Sequence, residues 1–317
     1  MNIREIHTPV MLERTLELLA PALERDGAVY VDGTLGMGGH AEAVLERFEG
    51  VHLVGLDRDR NALRIAEERL ARFSDRCDVV HTVYDGIADA LADAGIEAAD
   101  AILYDLGVSS LQLDEADRGF AYAQDAPLDM RMNQEDEVTA ADVIATRSEG
   151  QLRRIFEVYG EEKLAGRYAR AIVEVRAERP ILRSGELVDI LQHATPAALK
   201  NAGHPAKRVF QALRIEVNGE LAALERAIPA ALDSLAVGGR MVVLAYQSLE
   251  DRFVKRLFQQ ATTSTAPRGL PVELPEHTPR FRLLVKGAEQ ATDAEAERNP
   301  RAKPVRLRAI ERRGEGA

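Results

Sequence analysis

Short apolar runs alternate with amphipathic stretches over the first hundred residues. Val29 to Val31 is one such run; it feeds Asp32, a glycine-rich stretch from Gly33 to Gly39, and a helical pattern from Ala41 to Phe48. A second run, Val51 to Leu56, ends in Asp57. Asp59 then offers a capping carboxylate for a helix through about Phe73, with Leu63, Ala66 and Leu70 on its inner face. Asp78 to Val83 predicts a third strand that leads into Tyr84 and Asp85, and Ile87 to Ala94 predicts a helix. Ala101 to Tyr104 is a fourth strand running into Asp105. Strands and helices in strict alternation predict a parallel sheet, hence an α/β protein.

The alternation then stops. Residues 111 to about 137 are charged, rich in turn formers and poor in apolar periodicity, and a loop of that length inside a domain is usually functional. Ser148 with Gln151 makes a capping box for a helix up to Gly160. Leu164, Tyr168, Ala171, Ile172 and Val175 form the apolar stripe of the next helix, and Ser184 begins another through His193. These elements predict an inserted helical domain over 113–207, which splits the sheet domain into 1–112 and 208–317. Phe210, Leu213, Val217, Leu221, Leu224 and Ile228 read as one long helix packing back on the sheet. Gly238 to Tyr246 is a buried fifth strand, Ser248 opens a helix, and Phe281 to Val285 and Val305 to Ile310 are late strands. The Pro/Thr-rich stretch between, 262–279, predicts a flexible loop.

A strand, a glycine turn and a helix start together suit a bound cofactor, because glycine tolerates positive φ and close approach while the helix offers free N–H groups. Asp57, at the end of the second strand, stands where a doubly wound fold places the carboxylate that grips ribose hydroxyls. Gly36-Met37-Gly38-Gly39-His40-Ala41 fits the dinucleotide fingerprint, so NAD and FAD enter the comparison. Against them stands Asp32. A carboxylate beside a pyrophosphate is a like-charge contact of roughly 4 kcal/mol at about 4 Å and an effective dielectric of about 20. S-adenosylmethionine has no phosphate and carries a sulfonium and an ammonium, which acids attract. Asp32 can equally serve as a brace that accepts backbone N–H bonds from the turn.

Composition narrows the class. With 317 residues, 46% of them hydrophobic, the chain can bury a large core, and no run reaches the roughly 18 apolar residues of a membrane span. The N-terminal residues lack the apolar centre of a signal peptide, so a cytoplasmic enzyme is expected. Cys77 is the one cysteine, which excludes a disulfide framework and cysteine-based zinc sites, and the seven histidines lack ligand spacing; no metal is expected. The net charge of −11 gives no global nucleic-acid footprint. Local basic clusters do exist: Lys163, Arg167 and Arg170, spaced i, i+4, i+7 on one helical face; Arg252, Lys255 and Arg256 in another helix; and Arg298, Arg301, Lys303, Arg306 and Arg308. Each also reads as a solvated face balanced by nearby Glu.

From Asp105-Leu106-Gly107-Val108-Ser109-Ser110 through Gln112-Leu113-Asp114, the chain resembles the bacterial small-subunit rRNA cytosine-N4 methyltransferases, the RsmH or MraW family. The resemblance spans nearly the whole length. It includes His7-Thr8-Pro9-Val10, Asp32-Gly33-Thr34, Gly38-Gly39-His40, Asp57-Arg58-Asp59, Arg118-Gly119-Phe120 and Pro127-Leu128-Asp129-Met130-Arg131-Met132. It continues in Tyr159-Gly160-Glu161-Glu162, His204-Pro205-Ala206, Phe210 to Ile215, Ser248-Leu249-Glu250-Asp251-Arg252 and Asn299 to Lys303. One position departs: the family usually reads Phe-His before Ser-Leu-Glu-Asp-Arg, and here Tyr246-Gln247 stands there. Gln carries no titrating proton, which argues against an imidazole general base at that place.

The resemblance implies a class I S-adenosylmethionine-dependent methyltransferase, a Rossmann-like mostly parallel sheet with an inserted helical domain. It implies N4-methylation of a decoding-centre cytidine of 16S rRNA in the 30S subunit, with S-adenosyl-L-methionine as donor. Carried over, the cofactor site falls on Gly38, Gly39, His40, Asp57, Tyr84, Asp105 and Gln112, with Asp105 also the candidate catalytic residue. Tyr84 suits adenine by stacking, and Asp105 suits either the donor's ammonium or the target amine. Methyl transfer to an exocyclic amine needs no protein nucleophile, whereas carbon-5 methylation would need a thiol, and Cys77 precedes the third strand. The target base must be flipped out or single-stranded. No membrane partner is expected, and a homodimer stays open. Two other classes remain in view: an amino-methyltransferase on DNA or another RNA, against which Leu106-Gly107-Val108-Ser109 lacks a Pro-Pro-aromatic motif, and a non-catalytic ribosome-assembly factor.

Overall fold

The apolar runs of the first hundred residues become four parallel strands: β1 (Val29–Asp32), β2 (His52–Asp57), β3 (Cys77–His81) and β4 (Ala99–Asp105). β5 (Leu235–Ala245) pairs in parallel with β4, while β7 (Arg306–Arg312) pairs antiparallel with both β5 and β6 (Phe281–Leu283). The sheet order is β3-β2-β1-β4-β5-β7-β6. This is a computed structural model describing residues 9–199, 203–266 and 277–314. His7, Thr8 and residues 267–276 of the Pro/Thr-rich stretch lie outside the described residues.

The helices, in chain order, are α1 (Leu12–Leu23), α2 (Gly39–Arg47), α3 (Arg60–Leu70), α4 (Ile87–Asp93), α5 (Ser110–Asp114), α6 (Ala140–Thr146) and α7 (Glu149–Gly160). α8 (Ala165–Glu178), α9 (Ser184–Ala194), α10 (Ala206–Asn218), α11 (Glu220–Ser234), α12 (Ser248–Ala261) and α13 (Asp293–Arg298) follow. Asp59 caps α3 by accepting the Asn61 N–H, and Ser148 with Gln151 forms the capping box of α7. No helix of the described residues is long and apolar enough to cross a membrane.

The chain divides into two units, residues 1–107 with 222–317 and residues 108–221. The breaks fall at 107/108 and 221/222, where the sequence pattern placed them at 112/113 and 207/208. In the first unit, alternate strand residues serve opposite faces of the sheet. Tyr30, Leu53, Leu103 and Val242 pack with Leu19 and Leu23 of α1, Val44 of α2 and Leu63 of α3. Val31, Val54, Ile102 and Val243 pack with Ile87 of α4, Leu224 and Ile228 of α11 and Phe258 of α12. Both faces are covered, which is why these strands read as continuous apolar runs.

The second unit has its own core: Leu152 and Phe156 of α7, Tyr168 and Ile172 of α8, Leu187 and Leu191 of α9, Val209 and Leu213 of α10. The stretch expected as a loop, 111–137, is not structureless. Leu128, Met130 and Met132 enter this core, and the buried Arg118 guanidinium donates to the carbonyls of Arg131 and Met132. Asn218 closes the segment by donating to the Met130 carbonyl and accepting the Met132 N–H.

Three expectations need correction. The stripe from Phe210 to Ile228 is two helices, not one, because Gly219 adopts φ 59° between α10 and α11 and ends the first. Apolar periodicity continues across the break, so the pattern alone does not show it. Cys77 opens β3, pairing with Leu53, rather than preceding it, and burial pushes its thiol up to about 11, which leaves it a poor nucleophile. Lys163 lies before α8, so it does not share a helical face with Arg167 and Arg170, although all three are exposed.

Candidate active site

β1, β2 and β4 each end in an aspartate, Asp32, Asp57 and Asp105. The chain runs from β1 outward through β2 and β3, then crosses to β4 on the other side of β1. Ligands of open α/β sheets bind beyond the carboxyl ends of the strands at such a switch point.

Five amides of the glycine turn between β1 and α2 are engaged within the protein. Gly33 N–H donates to the Leu103 carbonyl (3.0 Å), Thr34 N–H to Asp32 Oδ1 (3.2 Å) and Leu35 N–H to the Leu56 carbonyl (2.9 Å). Gly36 N–H donates to Asp57 Oδ2 (2.8 Å) and Gly38 N–H to the Leu35 carbonyl (2.8 Å). A pyrophosphate cradle needs such N–H groups free, so these five are not offered to a phosphate. Asp32 takes the role of brace, buried, with the Tyr30 hydroxyl on its other oxygen (3.2 Å). Asp57 is a second brace, since its Oδ1 accepts the Asp59 N–H (2.8 Å). Each Asp57 oxygen retains another lone pair, which is what a ribose hydroxyl would use.

Packing explains one of these glycines. A Cβ at Gly33 would lie 2.1 Å from the Tyr104 ring, which fills the space beneath the turn. Tyr104 in turn donates its hydroxyl to the Tyr84 carbonyl (3.0 Å), and the two rings sit 5.3 Å apart at 48°. Tyr84 is thus held half-buried next to the turn's own support.

Asp105 is held by long-range contacts. Its backbone N–H donates to Thr34 Oγ1 (2.7 Å), and its Oδ1 accepts the Tyr246 hydroxyl (2.7 Å). Oδ2 lies 3.9 Å from His40 Nδ1. His40 is buried, and its Nε2 meets the Val10 carbonyl at 3.1 Å. A carbonyl can only accept, so Nε2 bears the proton and the neutral ring turns its Nδ1 lone pair towards Asp105. Burial pushes Asp105 up to about 7, against the pull of the Tyr246 hydrogen bond, and Asp32 up to about 6. Burial also raises Asp57 and lowers His40. Among the described residues, no Lys or Arg forms an ion pair with Asp32 or Asp105. Buried acids without a cationic side chain fit a ligand that is itself cationic and phosphate-free, and S-adenosylmethionine meets both conditions.

Asp32, His40, Asp57, Tyr84 and Asp105 therefore lie in the first unit at the strand ends or on the turn side of α2 and β3. Gln112 belongs to the second unit, where it is buried and its Oε1 accepts the Ser109 N–H (3.1 Å) as part of the capping box of α5. Gln247 is the N-cap residue of α12; its N–H donates to Glu250 Oε2 (3.2 Å), and its buried Oε1 has no partner among the described residues. Of the basic clusters, Arg308 is bound to Asp251 (2.8 Å) and Arg170 lies 3.7 Å from Glu149, while Lys255 and Arg256 are exposed. Sequence reasoning missed Tyr246, Thr34 and Tyr104 as site supports. Tyr246 had a signal, since it stands where the resembled family has Phe. The described residues hold no cluster of His, Cys, Asp or Glu able to take a metal.

A seven-stranded, mostly parallel sheet in this order, with acids at the ends of β1, β2 and β4, is that of a class I methyltransferase. The chain belongs to the MraW methylase family, whose profile matches residues 4–313. The ribosomal RNA small subunit methyltransferase H of Leifsonia xyli subsp. xyli is 65% identical over 308 residues, covering 97% of this chain and 95% of that protein. The protein of the same name from Saccharopolyspora erythraea is 63% identical over 312 residues, covering 98% and 94%. Among solved structures, an rRNA methylase from Streptococcus thermophilus is 14% identical, covers 98% of this chain and 99% of its own, and superposes with a TM-score of 0.43.

Proposed function

We propose that this chain methylates 16S rRNA of the small ribosomal subunit, transferring a methyl group from S-adenosylmethionine to the exocyclic N4 of a decoding-centre cytidine in the 30S particle. The names of its close relatives support the RNA. The observation that carries the chemistry is Asp105: a strand-end carboxylate with one oxygen bound to Tyr246 and the other accepting no hydrogen bond from the described residues. Bound S-adenosylmethionine supplies a methyl carbon already activated by its sulfonium, so the protein has no covalent step to perform.

The side chains bind, orient and accept. Asp57 offers its remaining lone pairs to ribose hydroxyls, and Tyr84 offers its ring to adenine. The cytosine amine is a poor nucleophile because its lone pair is delocalised into the ring. A carboxylate oxygen accepting an N4 hydrogen localises that pair on nitrogen, and carboxylates are natural acceptors from this group. As the N–C bond forms and the S–CH3 bond breaks, S-adenosylhomocysteine would leave and Asp105 Oδ2 would take the N4 proton. Alignment of amine and methyl supplies most of the remaining acceleration. In this reading the helical unit, 108–221, recognises the RNA, because the sheet unit holds the strand-end acids and turn without it.

Tritiated-methyl transfer to purified 30S subunits, naked 16S rRNA and DNA tests the reading. Label in 30S rRNA that digests to N4-methylcytidine is expected. Label in DNA would move the chain to the amino-methyltransferases of DNA, and no label in any substrate would leave an assembly factor.

A further inference from the structure

The two oxygens of Asp105 are treated differently, and one residue makes the difference. Tyr246 follows β5 directly, next to the end of β4, where Asp105 is in register with Leu244. Its N–H donates to Glu250 Oε2 (3.0 Å), and Glu250 is buried in the first turn of α12. Its ring lies beside Gly107, where a Cβ would stand 3.5 Å from Tyr246 Cδ2. The hydroxyl is thus aimed by the strand end, the helix start and the ring's own packing, and it reaches Asp105 Oδ1 at 2.7 Å. With Thr34 holding the Asp105 backbone, the carboxylate cannot swing without breaking one of these bonds.

We propose that Tyr246 is a positioning residue for methyl transfer: its hydroxyl occupies Asp105 Oδ1 and thereby presents Oδ2 to the N–H of the amine being methylated. The proposal rests on the reading of Asp105 given above. Phenylalanine at this place would fill the same space yet leave Oδ1 free to compete for the amine hydrogen. It would also remove the one hydrogen bond that favours the ionised form of a buried acid. The groups facing Asp105 are His40 of α2, Tyr30 and Asp32 of β1 and Tyr246 itself, with Glu250 and Glu295 acting on Tyr246.

The test compares Tyr246→Phe, Asp105→Asn and the double variant, each checked for folding by thermal melting. The wild type is first shown to methylate 30S rRNA. Tyr246→Phe should lower kcat at pH 7 by about tenfold or more, the scale of a hydrogen bond to a charged group. KM for the donor, compared at pH 9 where Asp105 is ionised in both proteins, should change by less than about threefold, and the kcat deficit should narrow towards that pH. Carbon-13 NMR of the aspartate carboxyls, with Asp105 assigned by its loss in Asp105→Asn, reads the same coupling without substrate. Its titration midpoint should rise by about one pH unit in Tyr246→Phe. The double variant should be no slower than Asp105→Asn alone, because Tyr246 acts through Asp105. An unmoved midpoint overturns the proposal, as does a moved midpoint with unchanged kcat. Additive losses in the double variant would give Tyr246 a merely structural role and overturn it too. A wild type that methylates nothing removes the reading beneath as well, and is seen before any variant is compared.

Discussion

Replacing Asp105 with Asn tests the electrostatics of the site directly. Burial holds this carboxyl near 7, and no Lys or Arg forms an ion pair with it among the described residues. The positive charge of a donor bound nearby therefore favours the ionised carboxylate and works against its proton. If only the ionised form binds, the apparent Kd is the intrinsic value divided by the ionised fraction, which is about 9% at pH 6 and about 91% at pH 8. Affinity for S-adenosylmethionine should then strengthen about tenfold between those pH values in the wild type. Asp105→Asn should bind more weakly at pH 8 and show only the shallower slope left by Asp32, which is held near 6. Calorimetric titration at pH 6, 7 and 8, in buffers of differing ionisation enthalpy, measures affinity and proton release together. Near pH 7 the wild type should release roughly half a proton on binding.

Stability should move the other way. The folded pKa of Asp105 lies above its ordinary 3.8, so between about 4 and 7 the folded protein binds more protons than the unfolded chain. Stability from this group is fully present below pH 4 and declines as pH rises through 7. Asp105→Asn should accordingly melt higher than wild type at pH 8 without ligand. A wild-type affinity that is flat with pH, or an Asn variant that keeps the full slope, refutes the reasoning.

Gly33→Ala should destabilise the protein by about 1–3 kcal/mol in urea unfolding, the usual range for forced overpacking, because its Cβ would overlap the buried Tyr104 ring. Donor affinity should fall with it, since Tyr104 also holds Tyr84. Changing Lys163, Arg167 and Arg170 to Gln should weaken 30S binding and flatten its salt dependence by a slope of roughly 0.7–0.9 per lost phosphate contact, with donor binding unchanged; an unaltered slope would mean these residues are only solvated. Gln247→His should alter the rate modestly and leave the pH profile between 6 and 9 unchanged. A new ionisation near the histidine pKa of about 6.5 with a large gain in activity would contradict this.

The sheet unit was legible because its strands are buried on both faces and its helix starts carry local signals. Asp59 caps the helix its position predicts, as Ser148 does in the helical unit, and each strand from β1 to β4 lies within a few residues of its apolar run. Where the pattern failed, a local event was invisible to periodicity. Gly219 breaks a stripe whose apolar spacing carries on through the next helix. Residues 120–132 read as a polar loop because Leu128, Met130 and Met132 enter the core singly, from irregular backbone, with Arg118 and Asn218 satisfying the carbonyls that a strand or helix would have satisfied.

The site divides along the same line. Acids at strand ends, a glycine turn and a helix start are local in sequence, so Asp32, Asp57 and Asp105 could be placed from the chain alone. What sets their chemistry is not local. Asp105 depends on a hydroxyl 141 positions away, and His40 is fixed by a carbonyl 30 positions before it. Even the turn's meaning changed once its partners were known: the fingerprint suggests N–H groups offered to phosphate, yet those of Gly33, Thr34, Leu35, Gly36 and Gly38 bond within the protein. The same engagement turns Asp32 and Asp57 into braces, Asp57 with lone pairs to spare, and leaves Asp105 as the acid with one oxygen that accepts no hydrogen bond from the described residues. Five donors are thus withheld from anions while strand-end acids suit a cation, and both features disfavour the dinucleotide that the glycine spacing alone would admit.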